Sequence, residues 1–423
     1  MAAKLAINGG EKACTVQWPS WPVWHDEQRR ALNEVLESGQ WWYGQKVKEF
    51  EQRFAAFQDA RFGVTASSGS TALEAALLGL GIQAGDEVII PPYTFMATAS
   101  AVVRVNAVPV FADIQAETLC IDPGDVERKI TGRTRGIIPV HLAGYVADMD
   151  RLSAIAEAHN LFVLEDACHS WGSKWGRKGT GALGDCGAFS FQHSKNITAA
   201  EGGIVLTDKE ELAETIRSYT NCGRMAGKPW YHHEILGSNL RMTEFQAALL
   251  LAQLPYLQAQ TLKRQANAKI LDEGLQEIPG MITMRPEPRM TRRAYHLYAF
   301  RIDERVTGIS RDNFVKALTA EGVPASPGYT TPLYKYGFFR HGADDDSLPV
   351  APRAKQAGRG CKPFCASEVD YAGVCCPVCE EVCATTVWLK HTMLLAEADD
   401  MSAILAAVRK VCENVEELTQ CPG

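Results

Sequence analysis

The chain has 423 residues, 46% hydrophobic and 22% charged, the balance of an ordinary soluble globular protein with material for a large core. A net charge of -7 gives no electrostatic footprint for nucleic acid or an anionic membrane. No apolar run reaches the roughly 20 residues that span a bilayer, and the start MAAKLAINGG lacks a signal peptide's apolar stretch, so a cytoplasmic protein is expected.

In chain order, residues 26–38 have helical spacing, GQWWYG breaks it, and VKEFEQRFAAFQ resumes it. From residue 63 the text alternates: strand GVTAS, helix STALEAALLGLG, strand DEVIIPPY, helix TFMATASAVVRV, strand VPVFADI. RGIIPVHL, LFVLEDAC, GAFSFQ and GGIVLT read as further strands, with the helix MDRLSAIAEAHN between the first two. Helical runs follow at ELAETIRSYT and from TEFQAALLLAQL to about residue 275. This alternation implies a mostly parallel sheet covered on both faces. Beyond 255 come the strand YHLYAFRID, the helix ISRDNFVKALTAEG and a long irregular stretch to about 375. The expected division is a large domain over 1–255 and a smaller α+β domain over 256–423. Thirteen cysteines, an odd number without a secretion signal, favour free thiols.

In such sheets ligands bind beyond the carboxyl ends of the strands. ASSGSTAL (66–73) is a small-residue turn into a helix, suited to a phosphate or to simple N-capping by Ser68 or Ser70. In PPYTFMAT (91–98), Phe95 suits either a plate under a flat ring or the core. LFVLEDACHS (161–170) ends in Glu165 and Asp166, with His169 three residues on. A carboxylate there suits a protonated ring nitrogen, a helix cap or an ion pair. Lys195 follows the strand GAFSF and leads into ITAAEGG, whose small residues permit close approach; a desolvated lysine there is able to form a Schiff base. GTGALG (179–184) matches G-x-G-x-x-G but follows a polar loop and precedes a strand, the wrong setting for a dinucleotide.

Taken together, these four strand ends describe a pyridoxal phosphate pocket. The chain resembles the DegT/DnrJ/EryC1/StrS sugar aminotransferases, fold-type-I pyridoxal phosphate enzymes, over nearly its whole length. The resemblance rests on SSGSTALEAAL, PPYTFMATASAV, PVHLAGYVADMDRL, LEDACHSWG, GDCGAFSFQHSKNITAAEGG, LGSNLRMTEFQAALLLAQL and CPVCEEVCATTVWLKHTMLL. It implies an α/β fold with a large, mostly parallel seven-stranded sheet and a smaller α+β domain. It also implies Lys195 as the Schiff-base lysine, Asp166 at the pyridine nitrogen and Phe95 stacked on the ring. Ser70, Thr71 and Ser190 then match the phosphate contacts, and His169 the polar residue beside the ring hydroxyl. Asn239 matches an asparagine that reaches the neighbouring subunit's phosphate, which implies a homodimer with shared active sites.

SWPVWHDEQRRALNEVLESGQWW and SFQHSKNIT resemble the branch that aminates keto-cyclitols such as scyllo-inosose with glutamine; other branches aminate nucleotide-linked keto-sugars. The family's dehydratases carry histidine at the position of Lys195, and a non-enzymatic regulator would need no intact pair of Lys195 and Asp166. CCPVCEEVC places Cys376, Cys379 and Cys383 on one helical face, but its spacing, with Cys361 and Cys365, matches no zinc ribbon, and no metal is expected. GYTTPLYKYGFF resembles a substrate-side segment and makes Tyr329 a candidate contact.

Overall fold

The computed structural model describes residues 4–340 and 371–419. The segment HGADDDSLPVAPRAKQAGRGCKPFC (341–365), with Cys361 and Cys365, lies outside the described residues.

Apolar residues at helical spacing form α1 (Asp26–Ser38) and α2 (Gln45–Phe57). Phe50 and Phe54 of α2 pack edge-on against Phe191, and Phe54 also meets Phe189. Strands and helices then alternate: β1 (Phe62–Ala66), α3 (Gly69–Gly79), β2 (Glu87–Ile90), α4 (Met96–Arg104), β3 (Val108–Phe111), α5 (Pro123–Lys129) and β4 (Thr134–Ile137). There follow α6 (Met149–His159), β5 (Phe162–Asp166), the hairpin β6 (Lys174–Trp175) and β7 (Lys178–Gly179), β8 (Cys186–Ser190), β9 (Gly203–Thr207), α7 (Glu210–Thr220) and α8 (Glu244–Gln276).

Seven strands form one sheet in the order β1-β9-β8-β5-β4-β2-β3. From β8 to β3 every pairing is parallel, and β9 runs antiparallel to both its neighbours. The large, mostly parallel sheet inferred from the alternating text is therefore present. The parallel run aligns the carboxyl ends of β2, β4, β5 and β8, so the loops after them open on one edge.

Past α8 a second sheet is built from β10 (Met281–Thr283), β12 (Leu297–Ile302), β13 (Ala325–Ser326) and β14 (Thr386–Lys390), in the order β10-β12-β14-β13. β11 (Met290–Arg292) instead pairs with β6. The second core joins this sheet to α8 and the helix Ala398–Glu413, and also takes in Leu5 and Cys14 from the N-terminal arm. α8 runs unbroken through residue 255. The helix Pro377–Thr385 turns Cys376, Cys379 and Cys383 into the core on the large sheet's side. Its first amides donate to the Asp113 carboxylate at 2.9 and 3.0 Å, which supports the helix N-terminus. All described cysteines are unpaired, and among the described residues no cluster of His, Cys, Asp or Glu is placed to hold a metal.

Candidate active site

The strand ends enclose a cavity of about 580 Å³. Ser70, Phe95, Asp166, His169, Ser190, Lys195 and Tyr329 all line it. Thr71 and Asn239 do not.

The first wall is the start of α3. Ser68 is its N-cap: its hydroxyl accepts from the Thr71 amide at 3.2 Å, while Thr71 Oγ1 accepts from the Ser68 amide at 3.0 Å. Capping and anion binding were alternatives in the sequence; here they divide between residues. The cap consumes Ser68 and Thr71, whereas the first helical amides at Gly69 and Ser70 have no intrahelical acceptor and lie at the cavity. A Cβ on Gly69 would stand 2.7 Å from Ser190 Cβ and 3.1 Å from Cys168 Sγ, so any side chain there fills this cradle.

The second wall is the end of β5. Neighbouring strand residues point to opposite faces, and this separates Glu165 from Asp166. Glu165 is fully buried: it accepts from His141 Nε2 at 2.8 Å and from the amides of Gly181, Leu183 and Gly184 at 2.6 to 2.8 Å. GTGALG thus wraps its free amides around a carboxylate of its own chain. Asp166 faces the cavity, with Oδ2 accepting from Thr98 Oγ1 at 2.7 Å and Oδ1 from the Cys168 amide at 3.2 Å.

Phe95 is the N-cap of α4 and 62% exposed, an apolar face turned into the cavity. Thr98 lies one turn further on, so one helix start supplies both the plate and the hydroxyl that fixes Asp166.

Lys195 sits in the loop between β8 and β9. Its amide donates to the Gln192 carbonyl at 2.9 Å, and its Nζ lies 5.8 Å from the centre of the buried Trp171 ring. Burial pushes its ammonium below the ordinary lysine range, only partly opposed by Cys168 and Asp166. His169 and His296 line the same wall with ring centres 4.4 Å apart, and burial first, then Lys195, holds both well below the usual histidine range. The Ala143 amide donates to His169 Nδ1 at 3.4 Å, which leaves the proton of the neutral ring on Nε2.

Tyr329 packs edge-on against Trp388 at 4.8 Å, and burial pushes its phenol up. Thr98, Trp171, His296 and Trp388 were not singled out in the sequence. The spacing of Thr98 from Phe95 was a usable signal; His296 immediately precedes one apolar strand and Trp388 sits within another, where nothing distinguishes them from core residues. Asn239 is exposed and bridges to Asn221 in a loop that also carries the exposed Trp230, Tyr231 and Leu236.

The family model of the DegT/DnrJ/EryC1/StrS aminotransferases matches residues 22–359. An L-glutamine:2-deoxy-scyllo-inosose aminotransferase of Micromonospora echinospora is 39% identical over 434 residues, covering 98% of this chain and 99% of that protein. The crystal structure of 3-amino-5-hydroxybenzoic acid synthase superposes with a TM-score of 0.81 at 33% identity, over 94% of this chain and 99% of that one. NtdA of Bacillus subtilis, solved with bound PMP, superposes with a TM-score of 0.75 at 27% identity, over 91% of this chain and 82% of that one.

Pyridoxal phosphate fits the groups present: free helix amides and two serine hydroxyls for the phosphate, an exposed aromatic face, a fixed carboxylate, an imidazole N–H and a desolvated lysine. With the matched family model and the similarity to a full-length relative, the chain belongs to the DegT/DnrJ/EryC1/StrS aminotransferase family, whose cofactor is pyridoxal phosphate.

Proposed function

We propose that the chain moves an amino group from glutamine to a keto-cyclitol of the scyllo-inosose type. The observation that carries the chemistry is the meeting of Lys195, Asp166 and the start of α3 in one cavity. Bound there, pyridoxal phosphate supplies an electron sink for the pair left when a proton leaves the donor's Cα. The Gly69 and Ser70 amides with the hydroxyls of Ser70 and Ser190 would hold its phosphate, and Phe95 would cover its ring. Asp166, fixed by Thr98, would keep a proton on the ring nitrogen, and His169, with its proton on Nε2, would offer a donor to the ring oxygen. Lys195 would hold the cofactor covalently until the donor's amino group displaces Nζ. Burial lowers its ammonium, so the freed Nζ is a neutral amine at lower pH than a surface lysine, able to carry a proton from the donor's Cα to the cofactor and, with the acceptor bound, from the cofactor to the product carbon.

The acceptor assignment draws on the relative named for 2-deoxy-scyllo-inosose and on the charge of the cavity. Among the described lining residues Lys195 is the sole Lys or Arg, which favours an uncharged polyol over a nucleotide-linked sugar. Tyr329 and Trp388 offer that polyol an aromatic wall.

A homodimer belongs to the same reading. The exposed Trp42 and Trp230, 5.6 Å apart, form an apolar patch beside the loop of Asn239, of the kind that marks a protein contact. Asn239 then serves the second copy's phosphate. Residues 1–255 form the cofactor-binding domain and 256–423 the smaller one, with α8 shared between them and the cytoplasm as the location. The test is Lys195→Ala assayed with glutamine and glutamate against a panel of keto-cyclitols and nucleotide keto-sugars. The parent should prefer glutamine with a keto-cyclitol and the variant should give no turnover; full transamination by the variant overturns the assignment.

A further inference from the structure

Arg264 of α8 is fully buried, and among the described residues no carboxylate lies within ion-pair distance of it. Among the described residues its Nε and Nη1 find no hydrogen-bond partner. A buried, uncompensated cation costs several kcal/mol, and a methionine would fill similar space without that cost. Burial lowers the guanidinium to about 9, which leaves it protonated at neutral pH.

Its hydrogen bond to His391 fixes a tautomer. Arg264 Nη2 donates to His391 Nδ1 at 3.1 Å, and a guanidinium has no acceptor to offer. His391 Nδ1 must therefore present its lone pair, which puts the proton of the neutral ring on Nε2. That Nε2–H lies 3.1 Å from the Ser194 carbonyl and donates to it. On the adjoining peptide, Trp21 Nε1 donates to the Lys195 carbonyl at 3.1 Å. Trp21 packs edge-on against His391 at 4.8 Å and has the Arg264 guanidinium 5.8 Å from its ring centre.

We propose that Arg264 is a positioning residue for Lys195: it holds His391 as the Nε2–H tautomer, and His391 and Trp21 together pin the consecutive carbonyls of Ser194 and Lys195. The proposal rests on the assignment of Lys195 as the working amine. Segments at residues 21, 264 and 391, from the N-terminal arm, α8 and the end of β14, meet on the backbone that carries this one side chain. Fixing both carbonyls limits the rotation of the peptides on which the side chain depends, and a displacement of about 1 Å at a reacting group costs on the order of a hundredfold in rate.

The experiment compares the full-length parent with Arg264→Met, Arg264→Lys, His391→Gln and Trp21→Phe by hydrogen–deuterium exchange, with and without cofactor, and by steady-state kinetics. In Arg264→Met the peptide over 192–197 should exchange at least tenfold faster while peptides of β1 to β5 keep the parent's rates, and kcat should fall tenfold or more with KM within twofold. Arg264→Lys retains a donor to His391, and His391→Gln retains a donor to Ser194, so both should stay within threefold of the parent in loop exchange. Trp21→Phe keeps the ring, loses the donor and should loosen the same peptide. Unchanged exchange at 192–197 in both Arg264→Met and Trp21→Phe, or equal acceleration throughout the sheet, overturns the proposal. The exchange of the cofactor-free chain does not depend on turnover, so this result stands apart from the Lys195→Ala test.

Discussion

His169, His296 and His391 form a row of buried imidazoles, with centres 4.4 Å apart for the first pair and 5.7 Å for the second. Burial is the largest cause holding each well below the usual range; positive charge on Lys195 adds to it for all three, and on Arg264 for His296 and His391. The unfolded chain protonates each near about pH 6.5, whereas the folded chain keeps them neutral further into acid. Below that pH the unfolded state therefore binds more protons, and stability falls as pH falls. Each such proton is worth about 1.4 kcal/mol per pH unit, so the row contributes a slope of about 4 kcal/mol per pH unit where all three differ between states. That contribution is absent above about pH 7.5 and grows from about pH 6.5 downward to the folded values. His391→Gln removes one titrating ring and retains a donor for Ser194 and an acceptor for Arg264. The assay is urea unfolding of the cofactor-free chain from pH 4.5 to 7.5, parent against variant. Carboxylate contributions are common to both and cancel, so the parent should be steeper by about 1.4 kcal/mol per pH unit in the acid limb. Parallel profiles, or a steeper variant, would refute the reasoning.

Glu165→Gln replaces a carboxylate that accepts three backbone amides and His141 with a group having one acceptor oxygen; a loss of roughly 2–4 kcal/mol is expected, read as a lower urea midpoint. Gly69→Ala puts a methyl 2.7 Å from Ser190 Cβ, a contact that Ser190 must move to relieve; pyridoxal phosphate affinity measured by equilibrium dialysis should weaken at least tenfold, and the melting temperature of the cofactor-free chain should fall in line with an overpacking cost of about 1–3 kcal/mol. Thr98→Val removes the donor to Asp166 Oδ2; a drop in kcat of about tenfold is expected, in line with the roughly 1.5 kcal/mol of a hydrogen bond to a charged group.

Most of the cofactor-binding frame was legible because its signals are local. Each strand of the alternating run, the small-residue turn at 66–73 and the lysine after GAFSF occupy fewer than ten residues apiece. The antiparallel sense of β9 was not legible, since a strand's text does not state its direction. Nor were α5, the β6–β7 hairpin or β14 resolved, being short elements whose pairing partners lie far off in sequence. Thr71 shows a further limit: a capping turn and a phosphate turn share one text, and it takes the geometry to show its hydroxyl accepting from the Ser68 amide. Arg264 was the least legible. In TLKRQANAK it reads as part of a solvated helix face, and it is buried because segments around residues 21 and 391 close over it.

Glu165 and Asp166 show why the site reads more sharply from structure than from sequence. Both are acidic, adjacent and at one strand end, and either suits a ring nitrogen by composition. The pleat turns one to each face, and the partners then differ in kind. Glu165 meets a histidine and three amides that satisfy it from within the chain. Asp166 meets one hydroxyl and one amide and opens on the cavity, with lone pairs left for a cationic N–H. A carboxylate already saturated by its own chain has little to offer a ligand; one held at two points and left short of donors has its orientation settled and its charge available. The same distinction separates Thr71 from Ser70 at the start of α3. In both pairs the residue proposed to serve the cofactor is the one its own fold leaves incompletely bonded.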